Sequence, residues 1–246
     1  MSKHQPPMMK ALTLVRAEKR VSLQNVPRPT LNKGEVVVKV YCVALNPVDS
    51  LYAANPIATQ DVRVIGTDFA GLVAEADEAS TATDSRALVR ARVAGFVQGG
   101  VATPSYKLVP DQISLEAAST VGMCGLTAAR AFFSRLDFPC PFSVRSTEFL
   151  DMSAGEMSNV IMYGASTSLG LYIAQLIRLS ARTFNMKIRL IGVASRRNHK
   201  LLAGKPYEYD VLLDYRDAKW PEKAMMATEN IGSHCGVDAI SEKETV

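Results

Sequence analysis

The sequence lacks the features that mark several classes of protein. Its 246 residues include only four cysteines, Cys42, Cys124, Cys140 and Cys235, and no CxxC pair, so neither a disulfide framework nor a structural zinc site is indicated. No apolar run reaches the ~18 residues of a membrane helix. The first 15 residues also lack the apolar core of a secretory signal. These absences favour a cytoplasmic protein that does not engage a membrane.

Charge and histidine are also sparse. The net charge is only +4, and lysines and arginines are scattered rather than clustered with aromatic residues, so no nucleic-acid partner is expected. The three histidines, His4, His199 and His234, are too dispersed to indicate a metal site. A hydrophobic content of 48% with 21% charged residues is typical of a globular protein.

The hydrophobic pattern changes along the chain. Residues 8–110 contain short apolar segments separated by Pro, Gly, Asn and Asp, which predicts an irregular β-barrel or sandwich. Helical spacing begins after Asp111, and residues 137–158 have the composition of a loop or linker. From Asn159 strands and helices alternate, with one poorly formed helix expected around Pro221. This alternation predicts an incomplete Rossmann domain, a doubly wound parallel sheet with four of the usual six strands.

The segment VIMYGASTSLGLYIAQL, which begins at residue 160, predicts a strand, a turn and a helix. Gly164 and Gly170 bracket a turn whose free backbone N–H groups and positive helix end would attract a pyrophosphate. The hydroxyls of Ser166, Thr167 and Ser168 are candidate phosphate donors. Because the spacing does not match G-x-G-x-x-G, a turn that only packs stays an alternative.

The end of the second predicted Rossmann strand carries Ser195, Arg196, Arg197 and Asn198. NAD-preferring folds have Asp or Glu there to bind the ribose 2′-hydroxyl. A hydroxyl and guanidinium groups would instead bind a 2′-phosphate, so NADPH is favoured over NADH. Tyr215, at the end of the third strand, is placed to flank the adenosine. The alternative is a pair of solvated arginines at a helix start.

The order of five motifs resembles the medium-chain dehydrogenase/reductase family. These motifs are GTDFAG at 66–71, VAGF at 93–96, GLTAA at 125–129, GASTSLG at 164–170 and VDAIS at 237–241. The resemblance implies an α/β chain with a chaperonin-10-like β-barrel domain followed by the incomplete Rossmann domain. We expect residues 1–130 to form the catalytic and substrate domain, 131–158 a linking helix and loop, and 159–246 the partial NADPH-binding domain.

Asn46 and Thr67 stand where zinc-dependent members of this family have metal ligands. Neither residue suits a catalytic zinc, so no metal is expected. Among zinc-independent members, NPVDS, GASTSLG and the Ser-x-x-Asn at Ser195 most resemble the trans-acting enoyl reductases of fungal polyketide biosynthesis. Quinone oxidoreductases are the nearest alternative.

The resemblance also implies site residues. The implied cofactor residues are Val48, Asp49, Ser50, Leu51, Ser166, Thr167, Ser168, Leu169, Ser195, Arg196, Arg197, Asn198 and Tyr215. The implied substrate residues are Thr127, Ala128, Ala129, Arg130, Ala131, Phe132, Phe133 and Ser134. An amphipathic core helix explains the second set equally well. No catalytic acid is identified. Leu51 stands where some relatives have a lysine that could contact the cofactor or the enolate.

The function implied by the resemblance is NADPH-dependent reduction of the α,β-double bond of a polyketide thioester. The implied partner is the acyl carrier protein of a polyketide synthase, which carries that enoyl thioester, and the enzyme could be a monomer or a homodimer. The chain ends at Val246, after the fourth predicted Rossmann strand, so we expect a C-terminally truncated member. A catalytically impaired pseudoenzyme and a quinone oxidoreductase stay open as alternatives.

Overall fold

The computed structural model describes residues 7–54, 61–97, 105–142 and 157–241. The chain divides into two compact units, Met1–Met123 and Cys124–Val246. The predicted linking segment lies partly outside the described residues, which do not include 143–156.

The first unit is mainly antiparallel β-sheet. Its strands are β1 Met8–Val15, β2 Arg20–Pro27, β3 Val36–Ala44, β4 Val62–Val64, β5 Asp68–Ala76, β6 Arg92–Phe96 and β7 Ser105–Leu108. Its short helices are α1 Pro47–Ala54, α2 Glu78–Thr83, a 3-10 turn Ser85–Ala87 and α3 Leu115–Ser119. One sheet has the strand order β2-β1-β4 and the other β3-β5-β6-β7. The β character predicted for this half of the chain is confirmed.

The core of the first unit is small and lies against the longer sheet. Ala70 on β5 packs with Val109 and Ala118, the latter on α3, and Val73 and Val93 are almost fully removed from solvent. Burying one such valine stabilises the fold by about 1.5 kcal/mol or more. This packing fixes the start of β5, where the buried Asp68 lies.

The second unit is an α/β layer structure. It comprises α4 Gly122–Ala129, which begins in the first unit, a π-helical segment Arg130–Arg135, β8 Met157–Tyr163, α5 Ser168–Thr183, β9 Lys187–Val193, a 3-10 turn Arg196–Asn198, α6 His199–Ala203, β10 Val211–Leu213, α7 Trp220–Ala227 and β11 Cys235–Asp238. All strand pairs are parallel, in the order β10-β9-β8-β11. This order is 3-2-1-4 in sequence terms and confirms the predicted Rossmann-like topology.

The core of the second unit lies between α5 and the sheet. Ile173 and Ile177 lie one turn apart on α5 and are fully buried against the cluster that includes Val160 and Leu190, a pair in register on β8 and β9. Each fully buried isoleucine contributes about 1.5–3 kcal/mol. This packing holds the start of α5 close to the strand ends.

Helix α7 covers part of the opposite face of the sheet. Pro221 lies in its first turn, where the missing N–H removes no helical hydrogen bond, so the helix is regular and the expectation of a poorly formed one is wrong. The indole of Trp220 packs near Tyr163, with ring centroids 5.6 Å apart. A cavity of about 220 Å³ beside them is lined by apolar side chains that include Ile161 and Ile191.

Within the described ranges, none of the helices is long and apolar enough to cross a membrane.

Candidate functional site

The turn between β8 and α5 depends on both of its glycines. Gly164 has φ +78°, and a Cβ there would lie 2.9 Å from Cγ1 of Ile240. A Cβ on Gly170 would lie 2.6 Å from the carbonyl oxygen of Gly164. The N–H groups of Gly164 and Ala165 both donate to the carbonyl of Val193, at 3.0 and 3.1 Å. The turn is therefore held beside the carboxyl end of β9.

Thr167 shapes this turn from within. Its Oγ1 accepts a hydrogen bond from the N–H of Gly170 at 3.0 Å and donates to the carbonyl of Gly164 at 2.8 Å. Thr167 is thus the N-cap of α5. Since its single hydroxyl proton is engaged, Thr167 stabilises the turn and has no proton left to donate to an anion in this conformation.

The other groups of the turn have their donors free. Among the described residues, none accepts a hydrogen bond from the backbone N–H groups of Ser166, Ser168 and Leu169, nor pairs with the two serine hydroxyls. They lie at the N-terminus of the 16-residue α5, whose first turn carries no acidic residue. Unsatisfied N–H groups at the positive end of a helix form an anion site. At Leu169 the group available to an anion is the backbone N–H, so its apolar side chain does not oppose the prediction.

A second polar group lies at the carboxyl ends of β9 and β10. Ser195 is buried, and its Oγ accepts a hydrogen bond from Nη1 of Arg216 at 3.2 Å. The guanidinium of Arg216 lies 5.0 Å from the ring centroid of Tyr215. The N–H of Ala194 donates to the carbonyl of Leu213 at 2.9 Å, which ties the two strand ends together. The structure thus brings together Ser195 and Tyr215, two of the predicted cofactor residues.

The 3-10 turn Arg196–Asn198 adds two exposed arginines to this edge. The N–H of Asn198 donates to the carbonyl of Ser195 at 2.8 Å and so closes the turn. Within the described parts of the chain, no carboxylate lies within ion-pair distance of the guanidinium of Arg196, Arg197 or Arg216. Positive charge at this edge is therefore left without a carboxylate ion-pair partner.

Arg216 was not identified from the sequence. It comes directly after Tyr215, just beyond the third Rossmann strand. The parallel topology alone could have indicated it. Because neighbouring parallel strands end at the same edge of a sheet, a cation just after β10 lies beside residues that follow β9. The contact with Ser195 spans 21 positions in sequence and has no local pattern.

The cofactor residues predicted in the first unit lie on α1. Asp49 Oδ2 accepts the N–H of Asn46 at 2.8 Å, and Ser50 Oγ donates to the carbonyl of Pro47 at 2.8 Å. Val48 is half-buried, whereas the side chain of Leu51 is exposed. These contacts build the first turn of α1.

Asn46 and Thr67, the two residues that the resemblance places at metal-ligand positions, belong to a buried polar network. The amide nitrogen of Asn46 donates to Thr67 Oγ1 at 2.8 Å and to Asp68 Oδ2 at 2.9 Å. Asp68 Oδ1 accepts the N–H of Met123 at 2.8 Å. Burial raises the pKa of the Asp68 carboxyl, against these hydrogen bonds, which lower it. In the part of the chain that is described, no group of three or more His, Cys, Asp or Glu could hold a metal ion.

The predicted substrate segment divides into two faces. Thr127–Ala129 lies in α4 and Arg130–Ser134 in the π-helical segment. Ala128 and Phe132 are fully buried, and the Phe132 ring stacks on Phe138 with centroids 4.2 Å apart. Thr127, Arg130 and Ser134 are exposed, whereas Ala129, Ala131 and Phe133 are half-buried. Ala128 and Phe132 therefore belong to the core. The exposed side chains of Thr127, Arg130 and Ser134 form the face that is available to a ligand.

No protein-family model matches the chain. Among curated proteins, the trans-enoyl reductase ACTTS2 of Alternaria alternata is 29% identical over 244 residues, 93% of this chain and 65% of the relative. The trans-enoyl reductase thnE of Trichoderma harzianum is 30% identical over 240 residues, 90% of this chain and 60% of the relative. The chain thus spans 60–65% of the length of these two relatives.

Solved structures share the fold at low identity. Mycobacterial Rv1454c complexed with NADPH gives a TM-score of 0.72 at 20% identity and covers 96% of this chain and 69% of the other. The CurK enoyl reductase gives a TM-score of 0.70 at 17% identity, with coverage of 98% and 69%. The resemblance to trans-enoyl reductases is therefore confirmed in sequence. The predicted chaperonin-10-like domain followed by a Rossmann-like domain is confirmed in fold.

Proposed function

We propose that the chain is an NADPH-dependent enoyl reductase that acts in trans on an enoyl thioester carried by the acyl carrier protein of a polyketide synthase. The reaction class follows the names of its curated relatives, which are trans-enoyl reductases, and the polyketide thioester and its carrier protein are what the resemblance to such enzymes implies. The observation that carries the cofactor assignment is the positive charge at the carboxyl ends of β9 and β10, which has no carboxylate ion-pair partner among the described residues.

The residues of the second unit fit a phosphorylated dinucleotide. The backbone N–H groups of Ser166, Ser168 and Leu169 would hold the pyrophosphate, because they have no acceptor among the described residues and lie at a helix N-terminus. Gly170 lets the first turn of α5 lie close to the backbone of Gly164 and Ala165, where a Cβ would clash. Ser195 and its neighbouring arginines would hold the 2′-phosphate, since the run from Ser195 to Asn198 contains no acidic residue that would repel it.

NADPH, when bound, supplies the hydride that reduces the β-carbon of the enoyl thioester. The contribution of the chain is to bind and orient. The turn and the arginines would fix the adenosine and phosphate half, Tyr215 with its exposed ring would flank the adenine, and α1 would contribute Val48, Asp49, Ser50 and Leu51. The exposed face of Thr127, Arg130 and Ser134 would contact the substrate.

The test separates binding from turnover. Fluorescence titration with NADPH measures the first, and loss of the reduced-nicotinamide absorbance with an enoyl thioester measures the second. We expect NADPH binding and oxidation that depends on the thioester. Binding without turnover would support a catalytically impaired pseudoenzyme, and the absence of binding would overturn the cofactor assignment.

A quinone oxidoreductase is the second candidate. It is favoured by structural neighbours described as quinone oxidoreductases, one from a mycobacterium and one from Coxiella burnetii. Replacing the thioester by a quinone in the same assay distinguishes the two. Size-exclusion chromatography distinguishes the predicted monomer from the homodimer, and the cytoplasmic location stays a prediction from the sequence.

A further inference from the structure

Arg216 is held in place by two contacts within the second unit. Its guanidinium lies over the ring of Tyr215, at 5.0 Å from the centroid, and Nη1 donates to Ser195 Oγ at 3.2 Å. The guanidinium has five N–H donors in a fixed fork, and among described residues only Ser195 accepts from it. The side chain is exposed, so the other donors of the fork are available to an anion.

Ser195 offers a second hydrogen-bond donor beside Arg216. Its side chain is buried, and its oxygen accepts from Arg216, which leaves the hydroxyl proton free to donate. A phosphate monoester accepts from both a hydroxyl and a guanidinium, and charge-assisted bonds of this kind are the strong ones.

We propose that Arg216 is the specificity-determining residue for a 2′-phosphorylated cofactor, and that it binds the 2′-phosphate together with the hydroxyl of Ser195. This inference rests on the proposed function, because it concerns the same cofactor site. It goes further in assigning the discrimination between NADPH and NADH to a residue outside the run Ser195 to Asn198.

Arg216 is better placed for this role than Arg196 and Arg197. No described residue forms an ion pair or a hydrogen bond with the guanidinium of either of those two arginines, so each must lose more rotamer freedom on binding. Arg216 is already ordered by a ring and a hydroxyl, and less entropy is lost per hydrogen bond that it forms. The neighbouring carboxylate of Asp214 accepts a hydrogen bond from the backbone N–H of Arg216 at 3.1 Å, and it forms no ion pair with the Arg216 guanidinium.

The experiment measures Kd for NADPH and NADH by fluorescence titration on wild type, Arg216→Gln, Arg216→Lys and Ser195→Ala. We expect Arg216→Gln to weaken NADPH binding by about 10- to 150-fold, the range for losing a hydrogen bond to a charged group, and to leave the Kd for NADH nearly unchanged. Arg216→Lys should fall between, since it keeps the charge and loses the fork. Ser195→Ala should weaken NADPH binding less than Arg216→Gln does.

Arg182→Gln is the matched control, because this arginine of α5 pairs with Glu208, and it should change neither Kd. Adenosine 2′,5′-bisphosphate should compete with NADPH on the wild type and lose this ability on Arg216→Gln. Equal weakening of NADPH and NADH, or no weakening of either, would overturn the assignment of Arg216. If the wild type binds both nucleotides equally, only this inference fails, and if it binds neither, the proposed function fails with it.

Discussion

Replacing Asp68 by asparagine tests the buried network of the first unit. The carboxylate accepts two hydrogen bonds, from the N–H of Met123 at 2.8 Å and from the amide of Asn46 at 2.9 Å. Asparagine has a single carbonyl oxygen, so one of these donors would face an NH₂ group instead of an acceptor. A buried donor left without an acceptor costs about 1–3 kcal/mol, and we expect the free energy of unfolding to fall by this amount near neutral pH, less whatever is regained by no longer burying a charge.

The same substitution should change how stability depends on pH. Burial raises the pKa of Asp68 above its ordinary value of 3.8, with a further contribution from the charge of Asp49. The folded chain therefore holds this proton more tightly than the unfolded chain does. The resulting stabilisation is fully present below pH 3.8 and is lost as the pH rises through the folded pKa. Asparagine does not titrate, so the unfolding free energy of the wild type minus that of the variant should decrease across this window.

The assay is urea unfolding followed by far-ultraviolet circular dichroism, on both proteins, at a series of pH values around and above 3.8. Asp111→Asn is the control, because the side chain of Asp111 is 94% exposed and its ion pair with Arg92, at 3.4 Å, is of the surface kind that contributes at most about 1 kcal/mol. A difference between wild type and Asp68→Asn that is constant with pH, or that increases with it, would refute the reasoning.

Three other substitutions probe the second unit by thermal unfolding. Thr167→Val removes the N-cap of α5 and should cost about 1 kcal/mol; an unchanged melting temperature would mean that the cap is dispensable. Gly170→Ala should destabilise the second unit, because its Cβ would lie 2.6 Å from a backbone carbonyl oxygen. In the control Gly204→Ala the nearest such oxygen lies at 3.5 Å, so this variant should be tolerated. Equal changes in the melting temperature of the two variants would contradict this prediction. Phe132→Ala empties a fully buried site and should cost about 3–5 kcal/mol, against less than about 0.5 kcal/mol for the exposed Phe142→Ala, and a small loss at both would place Phe132 outside the core.

The fold of the second unit could be predicted because its information is local. Alternation of apolar runs with helical spacing predicts strands and helices, and the handedness of parallel crossovers then leaves few strand orders. Pro221 shows the limit of this reasoning, since a proline opposes a helix interior but suits the first turn, and only the position of the helix start decides between them.

The candidate site was less predictable because its contacts join residues that are distant in sequence. Ser166, Thr167 and Ser168 look equivalent as hydroxyl residues, yet only Thr167 uses its hydroxyl to cap the helix. In the same way, the segment from Thr127 to Ser134 contains both core and exposed positions, in its α-helical part as well as in its π-helical part, and residue type alone does not tell them apart. The candidate residues could therefore be selected from the sequence, whereas the structural role of each one could not.

Trp220 is the only tryptophan of the chain, and it lies in the second unit, beside Tyr163 and on the wall of the apolar cavity. Fluorescence excited selectively from this indole therefore reports on the second unit. Because the first unit contributes no indole, a denaturation curve followed by this emission records the second unit alone, while circular dichroism records both. Comparing the two curves would reveal whether the halves unfold as one cooperative body or in succession, without attaching any label.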